Sequence, residues 1–393
     1  MSPLHASLVL ATLPALALSA LEIQDKETSL SIGCYLQAVA AKGTATVAGG
    51  DAYNATEGIA GRGDDLDLYL RRFRPSFKGT FQGVQFVAIL AADNAGRATA
   101  AGASAPTVTL YEGYVGRSWV LGATRQTVTF GKQLPWFNPA ATRSSTQQFV
   151  GSRASAEYLA PCGVGAGYRL VAPMISLGLD VQNNTGDDAT NQAGTNHGEG
   201  LTSTARLEIT GPDADHLAIG TWQESFAGAA GHGLALGLEA GVSQRDRTSP
   251  TTGQTVTVYG GDLLLHWDAL SALVEAAHQT TTVMPDAAAD DVTGAGVVLV
   301  QAGWAMPWDG VGVVEPALRW QAIDGNTAQD AEGLPFGGKD YGASGREVDA
   351  QVTLYQAGHR LKTGLMVTRW RGEESAAGTP RATIVRLQQQ ILF

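Results

Sequence analysis

RATIVRLQQQILF, the stretch from Arg381 to Phe393, decides how the rest of the chain is read. Taken in steps of two from its end, Phe393, Ile391, Leu387 and Val385 share one face, and Gln389 interrupts the row. Leu392, Gln390, Gln388, Arg386 and Ile384 share the other. A period of two with one apolar and one mostly polar face is a β-strand between two environments. A soluble sandwich shows the same alternation, so the pattern alone does not choose a solvent, and it is the aromatic residue at the strand's end that tips the expectation. It points to the closing strand of a barrel in a bacterial outer membrane.

That ending also resembles the carboxy-terminal signature by which outer-membrane barrels are recognised, so Phe393 is expected to engage the barrel-assembly machinery. Upstream, strand-sized runs recur in pairs. Ser29–Ala40 is the first and Leu66–Lys78 comes down to a turn at Gly79–Gly83. Val84–Ala92, Thr107–Gly116 and Trp119–Gly131 follow. Later hairpins are Val164–Leu170 with Met174–Val181, Ser203–Thr210 with Leu217–Ser225, and Val256–Trp267 with Ser271–His278. Gly296–Met306 with Val311–Gln321 and Glu347–Gln356 with Leu361–Arg371 complete the series. Short turns alternate with long Gly/Asn/Asp/Thr-rich loops, the asymmetry of outer-membrane barrels.

The expected fold is therefore all-β: a transmembrane antiparallel up-and-down β-barrel of about 16 strands, with short periplasmic turns and long external loops. An even count brings both ends of the barrel to one side. Gly233–Val242 also alternates, but as a spanning strand it would leave a long polar connection on the short-turn side, so it is assigned to an external loop. Lys132–Cys162 lacks alternation and is too long for a capping turn. It is expected to fold into the lumen as a constriction.

The amino end reads differently. Leu8 to Leu18 is apolar and Ala15, Ala17 and Ser19 offer small-residue cleavage sites, so residues 1–19 are expected to be a secretory signal peptide and 20–393 the barrel. The run is too short to span a bilayer as a helix. Cys34 and Cys162 are far apart in sequence; two free thiols are the expectation and a disulfide the alternative.

If the apolar rows face lipid, their opposite rows line the pore. Phe73 and Phe77 outward turn Arg72, Arg74 and Lys78 inward, and Val128 and Phe130 outward do the same for Arg125. Tyr168 and Leu170 place Arg169 inside; Val314, Leu318 and Trp320 place Glu315 and Arg319 inside. The constriction loop adds Lys132, Arg143 and Arg153. Asp180, Asp262, Glu275, Glu315 and Asp349 oppose them, so the alternative is a merely solvated interior. Local charge sets which ions a pore concentrates, and these cations are expected to form an anion path. The formal net charge of −11 argues against nucleic acid.

Several stretches together resemble the phosphate-selective porin O and P family: Leu70 to Arg74 with Lys78 to Thr80, Val128 to Pro135, Val314 to Trp320, and Val385 to Phe393. The resemblance implies a trimeric, sixteen-stranded porin whose third loop narrows the channel and whose arginines and lysines guide phosphate. Arg72, Arg74, Lys132 and Arg319 stand in those motifs. The chain departs from the family in holding only six Lys, too few for a lysine collar.

The function expected is passive diffusion of small hydrophilic solutes, with a weak preference for anions such as phosphate. A non-conducting adhesin or structural surface protein is the alternative. An enzyme is not expected: G-x-S-x-G and H-E-x-x-H do not occur, and the seven His are scattered. No cofactor or metal is implied. The partners expected are outer-membrane lipid, the solutes and a homotrimer.

Overall fold

The structure is a computed structural model that describes residues 21–25, 27–46, 66–93, 95, 107–137, 163–183, 201–211, 225, 227, 231–245, 254–283, 291–324, 344–372, 379 and 381–393. The β segments are β1 (Leu21–Gln24), β2 (Thr28–Thr46), β3 (Leu66–Phe81), β4 (Val84–Ala91), β5 (Thr109–Leu121) and β6 (Thr124–Gln133). They continue as β7 (Gly163–Val171), β8 (Ile175–Asn183), β9 (Leu201–Thr210), β10 (His232–Arg245), β11 (Gln254–Trp267) and β12 (Leu270–Val283). The last are β13 (Asp291–Trp304), β14 (Met306–Trp308), β15 (Gly312–Asp324), β16 (Gly345–Tyr355), β17 (Leu361–Gly372) and β18 (Arg381–Leu392).

Each wall strand pairs antiparallel with its sequence neighbours, and β18 returns to β2 with Arg381 opposite Thr46 and Leu392 opposite Tyr35. β1 is a short flap on Ser29–Ile32 of β2, and β14 continues β13 along β15. The wall is thus a closed barrel of sixteen strands. Closure is zipped to its last residue: Cys34 N donates to Phe393 O at 2.6 Å and Phe393 N donates to Cys34 O at 3.1 Å. A closed ring leaves no unpaired edge, which is what allows β-structure to cross a bilayer.

Alternation sets the two surfaces. Outward residues such as Leu236, Val300, Leu365 and Val385 are exposed, while their inward neighbours are buried. At the short-turn end the outer face carries Phe81, Trp119, Trp267, Trp304, Trp308 and Phe393, an aromatic girdle of the kind that marks a membrane interface. Gln82 (φ 49°) and Gly83 (φ 77°) make a two-residue turn there, with the positive φ values that let a hairpin twist with its strands. A closed barrel with an apolar belt places this chain in a bacterial outer membrane.

One strand differs from expectation. Gly233–Val242, assigned to an external loop, lies within β10 and pairs along its length with β9 and β11. β9 therefore has no edge for Leu217–Ser225, most of which lies outside the described residues. The strand count survives because one spanning segment replaces another. The consequence is a connection from Gly211 to Gly231 at the short-turn end, the arrangement that the loop-length rule had ruled out. Residues 1–19 and Cys162 lie outside the described residues; Cys34 is a buried free thiol.

Candidate functional site

The inner face of β3 carries the first group of cations. Arg72 stands opposite Gln37, Arg74 opposite Tyr35 and Lys78 opposite Ser31 and Val87, all on the lumen side. Between Gln37 and Ala38 the register shifts, so Arg71 sits in a bulge with no opposite residue. A bulge turns an extra side chain to the same face, and Arg71 Nη1 donates to Gln388 Oε1 across the barrel seam at 3.4 Å. Strict alternation would have turned Arg71 to lipid; only the doubled Arg71-Arg72 hinted at it.

Arg74 is held in place. Its guanidinium pairs with Asp93, with Nε 3.2 Å from either carboxylate oxygen, and lies 3.7 Å from the centroid of the Tyr111 ring. Arg72 forms no ion pair with a carboxylate among the described residues, while Lys78 shares the Glu112 carboxylate with Arg74 as its nearby acid. Arg125 lies on the lumen side of β6 near the short-turn end, and Lys132 is buried where β6 gives way to the following loop. Arg143 and Arg153 lie outside the described residues.

That loop leaves β6 into the interior. Gln182 Nε2 donates to Gln133 O at 2.9 Å, Trp136 N donates to Asp180 Oδ2 at 2.8 Å, and Arg206 Nη1 donates to Phe137 O at 3.2 Å. Phe137 is fully buried against Val256 and Val258 of β11. Gly178 makes room for the crossing, since a Cβ there would fall 2.2 Å from the Trp136 ring. Arg169 donates to Asp180 Oδ1 at 2.8 Å and stacks 5.4 Å from Trp136, so it holds this loop rather than facing open water.

The far wall is an ion-pair lattice. Arg206, with no exposed side-chain surface, contacts Glu239 at 2.7 Å, Asp262 at 2.7 Å and Glu208 at 3.0 Å. Gly237 permits this, because a Cβ there would overlap the Arg206 guanidinium and the Asp262 carboxylate. Arg319 Nε donates to Asp349 Oδ2 at 2.7 Å and Nη2 reaches Glu347 Oε1 at 3.4 Å. Thr368 and Gln321 complete that cluster.

A third feature closes on this wall from below. Ser225, in the Gly211–Gly231 connection, donates through Oγ to Glu315 Oε2 at 2.6 Å and accepts from Tyr355 Oη at 2.9 Å. Its carbonyl lies 2.8 Å from His359 Nε2. Ser225 is thus held against β15, β16 and the turn after it, well around the barrel from β9.

Charge is segregated across the lumen. Arg71, Arg72, Arg74, Lys78, Arg125, Lys132 and Arg169 on β3 to β7 face Asp67, Asp93 and Glu112 as local acids. On β8 to β18, Asp180, Glu208, Glu239, Asp262, Glu275, Glu315, Glu347 and Asp349 outnumber Arg206, Arg319, Lys362 and Arg386. Among the described residues no group of three or more His, Cys, Asp or Glu has a metal-holding arrangement.

This is the fold of outer-membrane porins. An anion-selective porin from Comamonas acidovorans superposes with a TM-score of 0.56 at 11% identity, covering 93% of this chain and 100% of that one. OprB of Pseudomonas putida, in a high-pH structure, gives 0.54 at 10% identity over 94% and 95%. OmpT of Vibrio cholerae, in its trimer form, gives 0.52 at 10% over 92% and 99%. No family model and no curated protein matches the chain.

Proposed function

We propose that this chain is an outer-membrane porin through which small hydrophilic solutes diffuse passively, with a weak preference for anions such as phosphate. The observation that carries the reading is the segregation of lumen charge: Arg72 faces the interior without a carboxylate partner among the described residues, while the cations opposite are tied into acid clusters. A cationic strip in a narrow, partly dehydrated passage raises the local anion concentration. The likeness in fold to an anion-selective porin supports this reading.

Loop 132–162 would supply the constriction, held at its start by Trp136 and Phe137. The assembly proposed is a homotrimer, in keeping with the trimer form of the Vibrio cholerae neighbour. Residues 1–19 would be removed on export, and Phe393 would serve recognition by the assembly machinery. Phosphate is expected to pass without tight binding, because a multivalent anion requires several convergent donors, and the strip's arginines are spread along one strand.

The test is the reversal potential of the refolded protein in a planar bilayer under a KCl gradient, repeated with phosphate. An anion-selective potential that falls towards zero in Arg72→Ala/Arg74→Ala supports the strip. A cation-selective potential in the unaltered protein removes the anion preference, and a protein that inserts without conducting removes the porin.

A further inference from the structure

Alternation along β5 breaks once, beside the cationic strip. Ile89 of β4 stands opposite Glu112 and Leu90 opposite Leu110, so Tyr111 has no opposite residue in β4. A bulge turns its extra side chain to the face of the next one. Tyr111 thus joins Glu112 in facing the lumen, where its ring lies 3.7 Å from the Arg74 guanidinium.

The register fixes the level of Glu112. Ile89 also stands opposite Ser76 of β3, so Glu112 lies level with the midpoint between Arg74 and Lys78, two strand spacings or about 10 Å away along the sheet. Lys78 and Arg74 are the cations whose fields act on its carboxylate. Arg74 is already paired with Asp93, so the charge that Glu112 chiefly offsets is that of Lys78. On its other side, Gly113 stands opposite Lys132 and β6 ends at Gln133. The carboxylate therefore sits where loop 132–162 leaves the wall.

Exposure separates Glu112 from the acids across the lumen. The described inward acids of β8 to β16 are all buried, from Glu315 with no exposed surface to Glu239 at 6%. Arg206, Arg319, Ser225 and Tyr355 hold most of them. Among the described residues, Asp67 and Glu112 are the inward strand acids that are not buried. Asp67 stands opposite Ala41 near the external end of β3, beyond Arg72. Glu112 alone shares the level of Arg74 and Lys78.

We propose that Glu112 is the specificity-determining acid of the passage, an accessible carboxylate that offsets Lys78 and keeps the preference for anions weak. This inference rests on the porin reading and names the residue that limits its selectivity. A unit charge about 10 Å from a permeating ion changes that ion's local concentration about twofold in dilute salt. The change has opposite sign for anions and cations, so their ratio responds about fourfold.

The test is the reversal potential of the refolded full chain in a planar bilayer under a dilute KCl gradient. Glu112→Gln should raise the chloride-to-potassium permeability ratio about fourfold, and Glu112→Asp should leave it near the starting value. Glu112→Cys, made in a chain that also carries Cys34→Ser and Cys162→Ser, should match Glu112→Gln and return to the starting ratio once a sulfonatoethyl thiol reagent restores the negative charge. A purely structural carboxylate would not answer to charge restored in this way. Glu315→Gln, on the buried wall, should leave the ratio in place, and heat-modifiable mobility reports that each variant folds. An unmoved ratio in Glu112→Gln, a Glu112→Cys chain that the reagent does not restore, or an equal shift in Glu315→Gln overturns the proposal while the porin stands. A refolded chain that does not conduct removes the porin and the proposal together.

Discussion

Arg206 and Arg72 are the same residue on the same kind of surface, the inner face of a barrel strand, yet their surroundings assign them opposite tasks. Arg206 touches Glu208, Glu239 and Asp262 and has no exposed side-chain surface. Its charge is spent on holding β9, β10 and β11 in register and on fixing Phe137. Arg72 faces Gln37 and meets no described carboxylate, so its field reaches whatever occupies the lumen. Inward orientation alone does not make an arginine part of an ion path. What matters is whether its charge is already answered from the neighbouring strands.

Breaking the first half of that comparison should produce the largest effect. Arg206→Met leaves three carboxylates buried around an apolar side chain, and removal of one partner from a buried ionic cluster costs about 3–5 kcal/mol. We expect a loss of that size in urea unfolding of the detergent-solubilised barrel, followed by tryptophan fluorescence. A loss below about 1 kcal/mol, the size of an exposed pair, would mean that water fills the cluster and that Arg206 belongs with Arg72 after all. A smaller effect is expected at the short-turn end. Ser225→Ala removes a hydrogen bond to the Glu315 carboxylate and should cost about 2 kcal/mol. It should also speed limited proteolysis within the Gly211–Gly231 connection; unchanged cleavage would leave Ser225 without a tethering role.

The sequence made one half of this contrast readable and hid the other. Phe73 and Phe77 fixed the orientation of Arg72, Arg74 and Lys78, because alternation is a local property and needs no knowledge of neighbours. The closing strand was equally legible, since its outward row Val385, Leu387, Ile391 carries its own period. The cluster around Arg206 was not. Its partner Glu239 lies in β10, the segment that the loop-length rule assigned to the outside, and a salt bridge between strands depends on pairing that no single strand encodes. Arg71 was lost for a related reason: a bulge inserts one residue and inverts the alternation beyond it. Trp136 and Phe137 stood out as an apolar run in a polar loop, but the glycine at position 178 that receives Trp136 is one among 49.

The smallest expected change in stability gives the sharpest test of the contrast. Arg72→Gln keeps the stem and a polar tip, removes one charge, and leaves no described carboxylate without its partner. Unfolding should shift by no more than about 0.5 kcal/mol, the usual range for substitutions away from packed networks. The reversal potential should nevertheless move towards cations, and more in dilute than in concentrated KCl, because the Debye length shrinks from about 10 Å at 0.1 M to about 3 Å at 1 M. Arg319→Gln, beside Asp349 and Glu347, should show the reverse pattern, with a clear loss of stability. If Arg319→Gln instead moved the potential as far as Arg72→Gln without destabilising the barrel, the division between answered and unanswered charge would fail, and orientation alone would govern selectivity.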